Sequence, residues 1–151
     1  MSLVLDASFC LVWIFPRQRA DQAERADRVL QRRDQEQWIV PTLWPLEVAN
    51  ALLVAERRAV IQPEQSDNFL RKLAALRILM DPIASDLTQP RLLALARQHL
   101  LSAYDTSYLE LALRREARLA SFDRRLLQAA EAVGCALEGG PVASAVECPR
   151  G

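Results

Sequence analysis

The run Ser2-Leu3-Val4-Leu5-Asp6 decides how the rest of the chain is read, because a short apolar stretch ends abruptly on an acid. It is too short for a helix and is predicted to be a buried strand. Ala7 to Ile14 follows as a brief helix stopped at Phe15-Pro16, since the residue before a proline is pushed out of the helical region. Ala20, Ala23, Ala26, Val29 and Leu30 recur at helical spacing and predict a second helix. Trp38 to Val40 is a second strand, closed by Pro41. A long helix over Thr42 to Glu56 comes next, with Pro45 tolerable only because it lies in the opening turn.

Farther out, Gln62-Pro63 opens a helix through about Leu76, and Arg77 to Met80 reads as a third strand. Helices are expected from about Pro90 to Leu100 and from Ser102 to Arg115. The strand Arg118 to Ser121 and the helix Asp123 to Val133 follow, with Gly134 as the stop and Cys135 to Leu137 as a last edge strand. Strands alternating with helices imply an α/β fold, because parallel strands need crossover helices. The expectation is three layers: a mainly parallel sheet of four or five short strands, covered by helices on both faces. With 151 residues, 51% of them hydrophobic, the chain has the size and apolar content of one domain. That domain is expected over residues 1–138, and 139–151, with Gly139-Gly140-Pro141 and a terminal Gly151, as a loose tail.

Lys+Arg and Asp+Glu both number 19, so the molecule exerts no net long-range pull on nucleic acid or an anionic membrane. Lys72 is the only lysine and His99 the only histidine. A metal-free nuclease needs a histidine pair, or histidine with lysine, for proton transfer, and those residues are nearly absent. His99 is expected on a helix surface. Cys10, Cys135 and Cys148 form no metal-binding or redox spacing, which suits a reducing compartment, with Cys10 and Cys135 as core fillers. No basic leader and no apolar run of membrane-spanning length is visible, so the expected location is the cytoplasm.

Four acids stand out against this background. Asp6 directly follows the first strand, at the edge where open α/β sheets place ligands, and could equally cap the next helix. Asp123, after the strand ending at Ser121, has the same two readings. Glu47 shares a helical stripe with Leu43, Trp44, Ala51 and Val54, so it faces inward unless the helix is rotated. An inward glutamate requires a metal, an arginine or a raised pKa. Asp105 lies with Leu101, Tyr108, Leu109 and Ala112, while its spacing from Ser102 also resembles a capping box. Four like charges at one sheet edge would shift toward neutrality without a divalent cation, and an all-oxygen set favours Mg²⁺ or Mn²⁺ over Zn²⁺.

Four segments, in order, carry a resemblance to the PIN-domain family, and within it to VapC-like toxins. They are Val4-Leu5-Asp6-Ala7-Ser8, Pro41 to Leu52 around Glu47 and Asn50, Ala103 to Ala112 around Asp105, and Ala120 to Leu126 around Asp123. The resemblance spans Leu3 to about Leu137. It implies a single-strand-directed endoribonuclease in which Asp6, Glu47, Asp105 and Asp123 hold one or two Mg²⁺ or Mn²⁺ ions. Cleavage would leave 5′-phosphate and 3′-hydroxyl ends. Ser8 and Ser121 match site-lining hydroxyl positions of the family, and Asn50 its usual asparagine after the glutamate. Arg124 and Arg125 stand near where a further acid can occur in relatives.

An acidic pocket repels a phosphate backbone, so flanking arginines must attract it, and Arg17, Arg19, Arg124 and Arg125 are nearest in sequence. The apolar helix faces Ala23 to Leu30 and Phe69 to Leu76 exceed what a small sheet needs, and a homodimer is expected. The resemblance further implies a cognate antitoxin, laying a disordered segment across those helices and aiming a basic side chain at the acids. Alternatives are a housekeeping RNA-processing nuclease and a noncatalytic PIN-like module. A phosphate-signalling receiver fits poorly because it needs a late lysine. An aspartate-nucleophile phosphatase needs a second aspartate where Ser8 stands.

Overall fold

The computed structural model describes residues 1–15, 20–83 and 85–137, residues 85 and 86 by their backbone only. β1 (Ser2–Leu5) leads into α1 (Ala7–Leu11) and then α2 (Ala20–Gln31). A single 3-10 turn, Arg33–Gln35, precedes β2 (Gln37–Val40), followed by α3 (Trp44–Arg57) and α4 (Pro63–Ala75). β3 (Leu79–Met80), α5 (Ser85–His99), α6 (Ala103–Arg114), β4 (Arg118–Ala120) and α7 (Arg124–Ala132) complete the order.

All four strands are parallel, in the order β3-β2-β1-β4. Leu3, Val4 and Leu5 of β1 are all fully buried although successive side chains point to opposite faces, so helices cover both faces of the sheet. Trp38, Ile39 and Val40 of β2 are buried in the same way. The three-layer α/β arrangement expected from the sequence is the one formed. The chain runs from β1 through β2 to β3 on one side and then crosses to put β4 on the other. The topological switch point therefore lies between β1 and β4, the place where such sheets open a crevice at their carboxyl ends.

Local differences have physical reasons. The first helix ends at Leu11 and loosens into turns through Ile14, where Trp13 and Ile14 bond back to Cys10 and Leu11. α5 starts at Ser85, so Pro90 sits inside it and leaves one backbone carbonyl without its helical donor; packing of α5 on α6 outweighs that local cost. The last strand shrinks to a single parallel bridge between Ala136 and Leu119. Gly134 ends α7 with φ +75°, the left-handed conformation that glycine adopts without strain. Cys10 and Cys135 are buried free thiols, as expected of core fillers. Residues 138–151, which hold the expected tail and Cys148, lie outside the described residues.

Ion clusters tie the layers together. Arg114 forks onto Asp81 (2.5 and 3.3 Å) and Glu110 (2.8 and 3.1 Å), joining α6 to the residue after β3. Glu36 receives Arg32 at 3.0 Å and Arg118 at 2.7 Å, pinning the starts of β2 and β4 together. Arg33 lies over the Trp38 ring at 5.2 Å and donates to the Leu76 carbonyl at the end of α4.

Candidate active site

The amide of Asp6 donates to the Ala120 carbonyl at 2.9 Å, so β1 and β4 leave the sheet side by side at the switch point. Asp6 is only 4% exposed. Its Oδ2 accepts hydroxyl protons from Ser8 and from Ser121, both at 2.6 Å. Ser8 in turn accepts the Phe122 amide at 3.0 Å, and Ser121 the Asp123 amide at 2.9 Å. Each hydroxyl has one proton and gives it to Asp6, so the 3.3 Å contact between the two serines results from their convergence on one oxygen. Although Asp6 occupies the N-cap position of α1, its side chain makes no capping bond; capping does not explain it.

Asp123 does cap: its Oδ1 accepts the Leu126 amide at 2.9 Å at the start of α7. Asp105 sits in the first turn of α6, half-buried, and its amide donates to Ser102 Oγ at 3.1 Å, the contact its spacing foretold. Glu47 is half-buried in the first turn of α3 and accepts the Tyr108 hydroxyl at 2.6 Å. The partner an inward glutamate requires is thus a tyrosine, with a raised pKa beside it.

Burial pushes Asp6 up to about 6, the Ser121 and Ser8 hydrogen bonds pull it back, and the charges of Glu47 and Asp105 add to the rise. Burial also raises Glu47; the Tyr108 hydroxyl opposes it and the charge of Asp105 reinforces it. Asp105 is raised by burial and by the charge of Asp123, against the Ser102 hydroxyl. Burial and the charges of Asp6 and Glu47 hold the Tyr108 phenol far above its ordinary range, so it acts toward Glu47 as a donor only. The charges of Glu47 and Asp105 act on Asp6, that of Asp105 on Glu47, and that of Asp123 on Asp105, so the four acids are linked by like-charge repulsion.

The buried acids elsewhere behave differently. Asp81, Glu110 and Glu36 each meet at least one arginine, whereas Asp6, Glu47, Asp105 and Asp123 form no ion pair among the described residues. A carboxylate as buried as Asp6 and facing further negative charge is costly unless a cation completes it. The donors available are carboxylates and hydroxyls, which suit a hard divalent ion. Among the described residues no three acid, histidine or cysteine side chains are gathered tightly enough to grip one ion, so the acids form a loose cluster rather than a closed coordination shell.

A family model described as PIN domain matches residues 3–132. The chain belongs to the PIN-domain family. Its PIN domain is 30% identical over 128 residues to Ribonuclease VapC3 of Pyrobaculum aerophilum, covering 85% of this chain and 94% of that protein. A crystal structure of PAE2754, also from Pyrobaculum aerophilum, superposes with a TM-score of 0.62 at 22% identity, over 85% of this chain and 79% of the other. That likeness concerns the fold.

Within this PIN domain the four acids, Ser8 and Ser121 come together as described. Asn50 lies one turn beyond Glu47 and is exposed. Arg124 and Arg125 open α7 beside Asp123, exposed and free of ion pairs among the described residues. Arg17 and Arg19 lie outside the described residues. His99 ends α5 half-buried, its Nε2 enclosed without a partner, rather than on open helix surface. Sequence reasoning placed Tyr108 on the stripe with Asp105 but not in the site; the available signal was a tyrosine in an otherwise apolar stripe, whose hydroxyl needs a buried partner.

Proposed function

We propose that this PIN-domain protein is a metal-dependent endoribonuclease that cleaves single-stranded RNA, and that it is the toxin of a toxin–antitoxin pair. The observation that carries the reading is the unpaired acid cluster: among the described residues Asp6 is the one buried acid without an arginine, and half-buried Glu47, Asp105 and Asp123 beside it have none either. Asp6, Glu47, Asp105 and Asp123 would hold Mg²⁺ or Mn²⁺. A divalent ion bound there supplies Lewis acidity toward a phosphodiester and lowers the pKa of water, the role histidine cannot fill in this chain. Ser8 and Ser121 fix the orientation of Asp6 by holding its Oδ2, and the capping bond of Asp123 keeps that carboxylate at the mouth of the crevice.

Recognition of RNA falls to the rim. Arg124 and Arg125 offer positive charge next to Asp123 to offset the repulsion between acids and phosphates. Tyr104, 69% exposed and adjacent to Asp105, is the one exposed aromatic among the described residues, and offers a stacking face for an unpaired base. Both features favour a single strand over a duplex.

The toxin assignment draws on the similarity to a protein named Ribonuclease VapC3 and on a groove beside α2 and α4. The groove has a volume of about 440 Å³ and is lined by Trp13, Ile14, Leu30, Phe69, Leu73 and Leu76. It is of a shape to take an apolar segment of an antitoxin, whose basic side chain could then reach the acids. The test is cleavage of a single-stranded RNA by purified protein with Mg²⁺ or Mn²⁺, with and without EDTA. Asp105→Asn and Asp123→Asn should reduce cleavage by more than ~100-fold, exceeding the loss typical of outer-shell partners. Undiminished cleavage by both variants, or in EDTA, overturns the assignment.

A further inference from the structure

The geometry points to Tyr108 as the positioning residue for Glu47: its phenol holds Oε1 so that Oε2 is presented to a divalent cation in the acid cluster. The inference rests on the metal-binding reading of that cluster. Tyr108 is fully buried, lies one turn beyond Asp105 on α6, and donates its hydroxyl proton to Glu47 Oε1 on α3 at 2.6 Å, across 61 residues of sequence.

Three observations support positioning over simple satisfaction of a buried hydroxyl. First, the Glu47 side chain has no other hydrogen bond to a described residue and no ion pair, so this is the one polar contact that restrains a long side chain with several free torsions. Second, the phenol bonded to Glu47 also lies near the β1 end, since the charge of Asp6 acts on it and the Ala7 amide faces the same oxygen. The residue therefore relates the β1 end, through Ala7, to the first turn of α3. Third, the hydroxyl occupies a single carboxylate oxygen and leaves Oε2 open, which is the arrangement a monodentate ligand needs. Outer-shell donors of this kind orient a carboxylate before the ion arrives, and losing one lowers metal affinity about 10–100-fold.

The experiment is Mn²⁺ binding to the full chain by electron paramagnetic resonance and calorimetry, with no RNA present. Tyr108→Phe keeps the ring and its packing and removes only the hydroxyl; thermal denaturation in EDTA checks that it folds. The expected result is a Kd for Mn²⁺ weakened by about 10–100-fold. In a Glu47→Gln background, the same Tyr108→Phe change should alter the Kd by less than about 2-fold, because the ligand it positions is already gone. Affinity unchanged in Tyr108→Phe, or an equal loss in both backgrounds, overturns the role of Tyr108 while leaving the metal site standing. No Mn²⁺ binding by the wild-type chain overturns the metal site, and the role of Tyr108 with it. Should Tyr108→Phe fail to fold, Glu47→Asp serves instead: too short to meet both the phenol and the cluster, it should weaken Mn²⁺ as much as Glu47→Gln, and retention of wild-type affinity overturns the proposal.

Discussion

Replacing Asp6 by asparagine should make the metal-free protein more stable at neutral pH while abolishing its chemistry. The carboxyl of Asp6 moves from 3.8 to about 6 on folding, chiefly because it is buried, and it is only 4% exposed. The folded state therefore holds the proton more tightly than the unfolded chain. Stability falls as pH rises from about 4 to about 6, and the full penalty is present above that window. The displacement corresponds to about 3 kcal/mol at pH 7.5. Asparagine reproduces the neutral form. Its amide oxygen can still accept the Ser8 and Ser121 hydroxyls, and its NH₂ group can donate toward the remaining acids. For a chain of this size that is a rise in Tm of roughly 6–12 °C as an upper bound. The assay is thermal denaturation in EDTA at pH 7.5 and pH 4, and again with MgCl₂. The gain should be present at pH 7.5, shrink toward zero at pH 4, and narrow with Mg²⁺, which stabilises only the wild-type chain by mass action. A variant less stable than wild type at pH 7.5, or equally shifted at both pH values, would refute the argument.

Ser121→Ala removes one of the two hydroxyls that stabilise the Asp6 carboxylate, so the carboxyl should titrate above its present value of about 6. At pH 7.5 in EDTA, urea unfolding should show a loss of about 1.5–3 kcal/mol, smaller at pH 4 where Asp6 is neutral; equal losses would count against it. Arg114→Met strands Glu110 as a buried charge and leaves Asp81 only Arg115, at 3.6 Å; it should cost about 3–5 kcal/mol by the same assay, with a loss under about 1 kcal/mol as the contrary result. A homodimer is expected through the α2 and α4 faces, which are also the proposed seat of the antitoxin segment; light scattering should then show that binding the segment releases monomers, and a dimer unaffected by it would place self-association on another face.

How far the site was legible depends on the distance over which each relation acts. The position of Asp6 after an apolar run, the face of α3 carrying Glu47 and the start of α6 at Ser102 are local facts, set by side-chain alternation, helical spacing and capping chemistry within a few residues. The acid at each element's end could thus be named without coordinates. The fold class was legible for the same reason, since alternating short strands and helices admit few architectures.

Other relations are not written in any local period. Whether Asp6 caps a helix or faces a cluster turned on Ser121, 115 residues away, which draws its carboxylate off the α1 amides. Periodicity puts Tyr108 on an inward stripe but does not report what stands opposite; only folding brings Glu47 of α3 within reach of its hydroxyl. Glu110 and Glu36 have arginines at i,i+4 spacing, Arg114 and Arg32, but Asp81 gains Arg114 and Glu36 gains Arg118 only through folding, which brings no arginine to the other four. Local spacing names the acids that sit at strand ends and opening helical turns. Whether an acid such as Asp6 or Asp81 is neutralised within the protein depends on through-space distances that the chain closes only when the helices pack on the sheet.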